Sequence, residues 1–177
     1  NEAQLNGKIK LLYAGNLSYN KATYIYDQKL QSLNGVHLDV YGPYFEQQRV
    51  NGSMLTYQGM FDPQSPDLKD KYHFGLIWEG DSTETCSGQM GQYIRFNNPH
   101  KFSLYLSIGL PVIVWKEAAV AKFVLKHNIG LTIGSFDELK NMSDRFTPAE
   151  YQQFRQNIRD LTEKVRNGYF MNKAIGE

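Results

Sequence analysis

Short apolar runs alternate with segments of helical period from one end of this 177-residue chain to the other. That alternation restricts the fold more than any other feature, because a strand apolar at nearly every position must be covered on both faces. Parallel sheets meet the requirement by routing their connections through helices. Ile9–Ala14 (I-K-L-L-Y-A) is the first such run, and Gly15 and Asn16 end it. Helical spacing follows over residues 22–32, then a second strand at Val36–Tyr41, stopped by Gly42 and Pro43, and a weaker third at residues 54–59. Asp62-Pro63 and Ser65-Pro66 open a polar stretch, 66–71, that predicts a short helix.

Residues 74–78 (F-G-L-I-W) read as the central strand, and residues 79–98 as the longest irregular segment. Loops of that length in a compact domain usually serve function or motion. Asn98-Pro99 reads as an N-cap with proline at the first helical position, opening a helix that runs to Gly109 with Phe102, Tyr105 and Leu106 on one face. A strand at 111–115, a helix at 118–128 and a short last strand at 131–133 complete the alternation. Two capping boxes follow, Ser135 with Glu138 and Thr147 with Glu150. The second opens a long amphipathic helix whose apolar seam is Tyr151, Phe154, Ile158, Leu161 and Val165. The expected fold class is α/β, a single domain whose Rossmann-like parallel sheet has about six strands flanked by helices on both faces.

Composition narrows the function classes. Nineteen Lys and Arg against eighteen Asp and Glu leave a net charge of +1, without the clustered basic excess that nucleic acid or a membrane surface requires. No apolar run is long enough to span a bilayer, and residues 1–10 lack the apolar core of a signal peptide. The single cysteine, Cys86, leaves no internal disulfide and suits a reducing compartment, so a cytoplasmic location is expected. The chain opens on Asn1 rather than Met, which points to a segment of something longer.

The chemically informative stretch is 97–115, N-N-P-H-K-F-S-L-Y-L-S-I-G-L-P-V-I-V-W. It is a helix entered through Asn-Pro, with a cation in its first turn, ended by Gly and followed by a buried strand. The start of a helix presents unpaired N–H groups and the positive end of the dipole. A lysine there, Lys101, opposes the dipole by roughly 0.3–1 kcal/mol, and a bound anion would account for it. A side chain lying along the surface with its ammonium in water is the plainer account. Placement favours the anion, since this helix follows a long loop at the carboxyl end of a strand, where open α/β sheets bind ligands.

These residues resemble a known family. P-H-K-x-x-L-Y-L-x-x-G-L-P-V-I-V, residues 99–114, is similar to the donor-site helix and strand of GT-B glycosyltransferases, P-x-K-x-x-E-Y-x-A-x-G-x-P-V. Residues 119–139, A-V-A-K-F-V-L-K-H-N-I-G-L-T-I-G-S-F-D-E-L, resemble the next block of that family. L-L-Y-A-G-N-L-S, residues 11–18, resembles the first strand and loop of its second domain. F-G-L-I-W-E-G-D-S, residues 74–82, is similar to the strand before the donor loop in bacterial β-1,6-galactofuranosyltransferases and in glucosyltransferases of adhesin glycosylation. The chain departs from the wider family at two places. Leu104 stands where a ribose-binding glutamate is common, and no second glutamate stands near Phe96; the galactofuranosyltransferase-like subgroup resembles the chain in this as well.

The resemblance implies the second half of a GT-B fold, with residues 1–177 forming the nucleotide-sugar-binding domain and the N-terminal acceptor domain absent from the chain. It implies a hexosyltransferase of the galactofuranosyl or glucosyl type that uses a UDP-sugar in bacterial surface-glycan or glycoprotein synthesis, with no further cofactor and no metal. The partners it implies are the UDP-sugar and a glycan or glycoprotein acceptor met through the other half; homo-oligomerisation stays open. The catalytic base would belong to that other half, so no catalytic residue is assigned, and the domain alone should bind donor without transferring it.

Asn98, His100, Lys101 and Ser103 are the nucleotide-sugar-binding candidates at the helix mouth. Asn16 and Lys21 are candidates in the loop after the first strand, with an Asx-turn as the equal alternative for Asn16. Tyr41 ends the second strand, where packing is the competing account. Asp81 and Tyr93 belong to the long loop, read as a lid that orders over the sugar. Glu79 with Asp81 reads better as a solvated acidic loop than as a Mg²⁺ pair, because no third ligand of suitable spacing appears. Two rivals stay open: a non-catalytic transferase-like partner that recognises the acceptor, and a UDP-sugar epimerase of the same two-domain architecture.

Overall fold

The computed structural model describes residues 7–62 and 68–166. Ile9–Ala14 forms β1, buried at every position but Lys10, and it lies inside the sheet with a strand on each edge. It pairs in parallel with β2 (Val36–Tyr41), from Ile9 against Val36 to Ala14 against Tyr41. On its other edge it pairs with β4 (Phe74–Ile77), Leu11 against Phe74 and Leu12 against Gly75. β3 (Leu55–Tyr57), β5 (Val112–Trp115) and β6 (Gly130–Ile133) extend the sheet, whose order is β3-β2-β1-β4-β5-β6. All five pairings are parallel.

The chain leaves β1 toward one edge of this sheet and leaves β4 toward the other. Right-handed crossovers then place the two sets of connections on opposite faces, and the loops diverge at the carboxyl ends of β1 and β4 to leave a crevice. The helices are α1 (Gln28–Gln31), α2 (Leu68–Lys71), α3 (Gly88–Tyr93), α4 (His100–Ser107), α5 (Ala121–Lys126) and α6 (Pro148–Arg166).

α4 is anchored over the crevice by one residue. The Tyr105 hydroxyl accepts from Ala14 N at 3.1 Å and lies 3.2 and 3.3 Å from the carbonyls of Leu12 and Leu76. Its ring lies so close to β4 that a Cβ at Gly75 would come within 2.4 Å of it. Glycine at that strand position is therefore what lets α4 settle between β1 and β4.

α6 closes the domain from the side. Thr147 N donates to Glu150 Oε2 at 2.7 Å and Glu150 N to Thr147 Oγ1 at 3.2 Å, a complete capping box. Tyr151, Phe154, Ile158 and Leu161 are buried, with Phe74 meeting the Tyr151 ring edge-on at 5.4 Å. The seam ends one turn early: Val165, expected in it, is 45% exposed. Thr162 Oγ1 donates to the Leu106 carbonyl at 2.6 Å and ties α6 to α4.

Several expected elements differ. The helix at 22–32 is a 3-10 turn, Thr23–Tyr26, followed by α1. The break falls at Asp27, which is extended (φ −70°, ψ 130°) and accepts from Lys29 N at 2.8 Å, so its side chain opens a new helix instead of continuing the old one. The third strand and the helix at 118–128 are shorter than expected. Of the predicted helix at 66–71, the first two residues lie outside the described residues, and the rest is α2. The segment 79–98 is not irregular throughout, since it contains α3.

Candidate functional site

The crevice holds a cavity of about 560 Å³. It is lined by Ala14 and Gly15 at the end of β1, Glu79 past the end of β4, Met90, Tyr93 and Ile94 in and just after α3, and residues 97–101 with Leu104 around the start of α4. The expected N-cap moves by one residue. Pro99, not Asn98, is the boundary (φ −68°, ψ 141°), its carbonyl accepts from Phe102 N at 2.9 Å, and no side chain caps the helix. A proline at the boundary cannot offer a capping oxygen, so the first amides of α4 are left to the cavity.

Lys101 sits deep in that cavity, and its ammonium is held by Glu79, both side chains being only 12% exposed. The ammonium also lies 4.8 Å from the centre of the Tyr13 ring, and a Cβ on Gly15 would come within 2.9 Å of the lysine stem. Burial works against the charge, but Tyr13 and Glu79 outweigh it and hold the Lys101 pKa above the ordinary lysine value. The anion that the sequence calls for beside this lysine is thus supplied, in the domain itself, by Glu79.

The other candidates divide into those brought to the cavity and those that are not. Tyr93, Asn98 and His100 line it with Lys101, and Tyr93 is 57% exposed. Lys21 does not line the cavity but touches a residue that does, its ammonium 3.8 Å from the Met90 sulfur. Asn16 is exposed and closes an Asx-turn, its carbonyl oxygen accepting from Ser18 N at 2.9 Å. Ser103 is exposed and does not line the cavity. Tyr41 is turned inward: its hydroxyl meets that of Tyr72 at 2.8 Å, and its ring packs edge-on against Phe61.

The loop read as a lid that orders over the sugar is already tied to the domain along much of its length. Asp81 takes the Ser87 hydroxyl at the start of α3. Trp78 Nε1 donates to the Ser82 carbonyl at 2.9 Å, Phe136 N donates to Thr83 O at 2.8 Å, and Cys86 is fully buried. Glu79 and Asp81 therefore face different partners, and no group of three or more His, Cys, Asp or Glu is arranged to hold a metal among the described residues. Glu79 is the site residue that sequence reasoning set aside. Its signal in the sequence was its position, first past the expected central strand at 74–78.

A doubly wound parallel sheet of this order, with its cavity at the switch between β1 and β4, is the Rossmann-like architecture of GT-B glycosyltransferase domains. The chain covers 98% of its length on AviGT4, a glycosyltransferase involved in avilamycin A biosynthesis, with a TM-score of 0.58 at 18% identity and 54% of that chain covered. Anabaena HepE, solved in complex with UDP and glucose, matches with a TM-score of 0.58 at 15% identity, covering 98% of this chain and 49% of HepE. More specifically, the chain belongs to the Glucosyltransferase 3-like, C-terminal domain family, whose model matches residues 11–177.

Sequence relatives agree. The chain is 40% identical to the β-1,6-galactofuranosyltransferase WbbI of Escherichia coli K12 over 169 residues, 94% of this chain and 48% of WbbI. It is 28% identical to Glucosyltransferase 3 of Streptococcus gordonii over 101 residues, 57% of this chain and 29% of that protein. These relatives are glycosyltransferases, and the chain matches one domain of them, spanning about half the length of WbbI. No helix among the described residues is long and apolar enough to cross a membrane.

Proposed function

We propose that the chain is the donor-binding half of a UDP-sugar-dependent glycosyltransferase, of the galactofuranosyl or glucosyl type, acting in bacterial surface-glycan or glycoprotein synthesis. The observation that carries this reading is the uncapped start of α4 opening on the switch-point cavity beside a buried lysine. Glycosyl transfer leaves negative charge on the departing diphosphate. Amides at a helix start and an ammonium already held in place stabilise that charge without reorganising. Lys101 has three donor hydrogens and gives one direction to Glu79, so it can serve a phosphate oxygen as well. His100 and Asn98 stand beside it, while Met90, Tyr93, Ile94 and Leu104 offer an apolar wall to a base or sugar ring. We assign acceptor binding and the base that deprotonates it to another half of the enzyme, and propose a cytoplasmic setting in keeping with the lone, buried Cys86.

Calorimetric titration with UDP tests the proposal. Binding is expected, with the largest amide shifts in an NMR titration at residues 99–103, and Lys101→Met should weaken it about tenfold or more. A folded domain with no UDP affinity would instead support the reading as a non-catalytic transferase-like partner.

A further inference from the structure

We infer that Glu79 is the diol-binding residue of this site, and that Lys101 acts as its positioning partner; the inference rests on the donor-site reading above. Among the described residues, Glu79 is the only acidic side chain that lines the cavity. It stands two residues past the end of β4 and its side chain is 12% exposed, so it is aimed into the crevice and not into bulk water. One oxygen, Oε1, is held by the Lys101 ammonium, while Oε2 has no hydrogen-bond partner among the described residues.

Lys101 is itself fixed, by the Tyr13 ring on one side and by close packing of its stem on Gly15 on another. A lysine so confined holds the carboxylate in one orientation before any ligand arrives, which removes part of the ordering cost of binding. An oriented carboxylate repels phosphate oxygens and accepts strongly from hydroxyl groups. The cavity is therefore bipolar: the amide end of α4 suits the phosphates, and Glu79 suits paired hydroxyls of a furanose or pyranose ring. Leu104, on the same lining, has no polar atom with which to share that task. Two rings could supply the diol, the nucleotide's ribose and the transferred sugar, and the chemistry recognised is the same in both.

The test is titration of the wild type and Glu79→Gln with UDP, UDP-glucose and inorganic pyrophosphate, with thermal melts to verify folding. Glu79→Gln keeps the side-chain volume and a bond to Lys101 but removes the charge. The expected result is about a tenfold loss for a hydroxyl-bearing ligand, with pyrophosphate bound as well as before or more tightly. Loss with UDP and UDP-glucose alike assigns the ribose, and loss confined to UDP-glucose assigns the transferred sugar. Unchanged or tighter binding of all three overturns the inference and leaves Glu79 as a counterion. If the variant does not fold, the carbon shift of the wild-type Glu79 carboxylate must move with UDP or UDP-glucose and stay still with pyrophosphate. A wild-type domain that binds none of the three removes the donor site, and the role of Glu79 with it.

Discussion

At the scale of single residues, the site depends on side chains that reach across the sheet. Tyr105 is the clearest case, since its hydroxyl joins α4 to the backbone of both β1 and β4. Tyr105→Phe leaves the buried Ala14 amide without its acceptor and should cost about 1–3 kcal/mol in urea denaturation. A change within about 0.5 kcal/mol, the range of a neutral surface substitution, would contradict that role. Lys101 shows what a residue-level argument can reach in sequence. The sequence reading asks for a bound anion beside this first-turn lysine, whereas the folded chain places a side chain, Glu79, 22 positions earlier, against it.

Among the elements, α6 was the most legible and α3 the least. The pattern Thr-x-x-Glu with proline between opens α6 where it was expected, because capping is a local exchange of hydrogen bonds. Thr147→Ala should destabilise the domain by about 0.5–2 kcal/mol, read as a lower melting temperature with the cavity and any ligand affinity unaffected. α3 carries Gly88 and Gly91 in six residues, a composition that argues against a helix. Gly91 is required in it, since a Cβ there would come within 2.3 Å of the Cys86 carbonyl carbon. Longer-range bonds hold the segment to the domain, Phe136 N to Thr83 O and Ala119 N to Ile94 O, both at 2.8 Å, and tertiary contacts override propensity there.

At the level of the whole molecule, charge sets the pH range of stability. His127 titrates below the ordinary histidine value because burial, then Lys126 and Lys164, oppose its charge. The unfolded chain therefore takes up that proton first, and stability should begin to fall below about pH 6.5. Asp137 is held low by hydrogen bonds from Lys140 and Lys29, Glu46 by Arg49 and the Tyr19 amide, and Glu150 by Thr147. Their contributions are in place above about pH 4.5 and disappear as pH drops through the folded values. Asp137 and Glu84 push Lys29 up to about 12, so its contribution is complete below about pH 10.5 and lost only above that. Melting temperatures should be level from about pH 7 to 9, decline slightly below 6.5 and fall steeply below 4.5. His127→Gln should remove the first decline and leave the second; a variant that keeps both would contradict the assignment.

The sequence by itself determined the class of fold and the order of its elements along the chain. Periodicity, chain breakers and capping pairs act between near neighbours, and they were enough to read six parallel strands, the helix opening near Pro99 and the long helix from Pro148. Only the tertiary structure decided what the site's side chains face. Tyr41 turns inward to Tyr72, Asn16 closes a turn, and Lys101 meets Glu79. The physical reason is that such contacts join strand ends and helix starts that are distant in sequence. Their partners are chosen by strand order and by the few positions, Gly15 and Gly75 among them, where two elements can approach closely enough to touch.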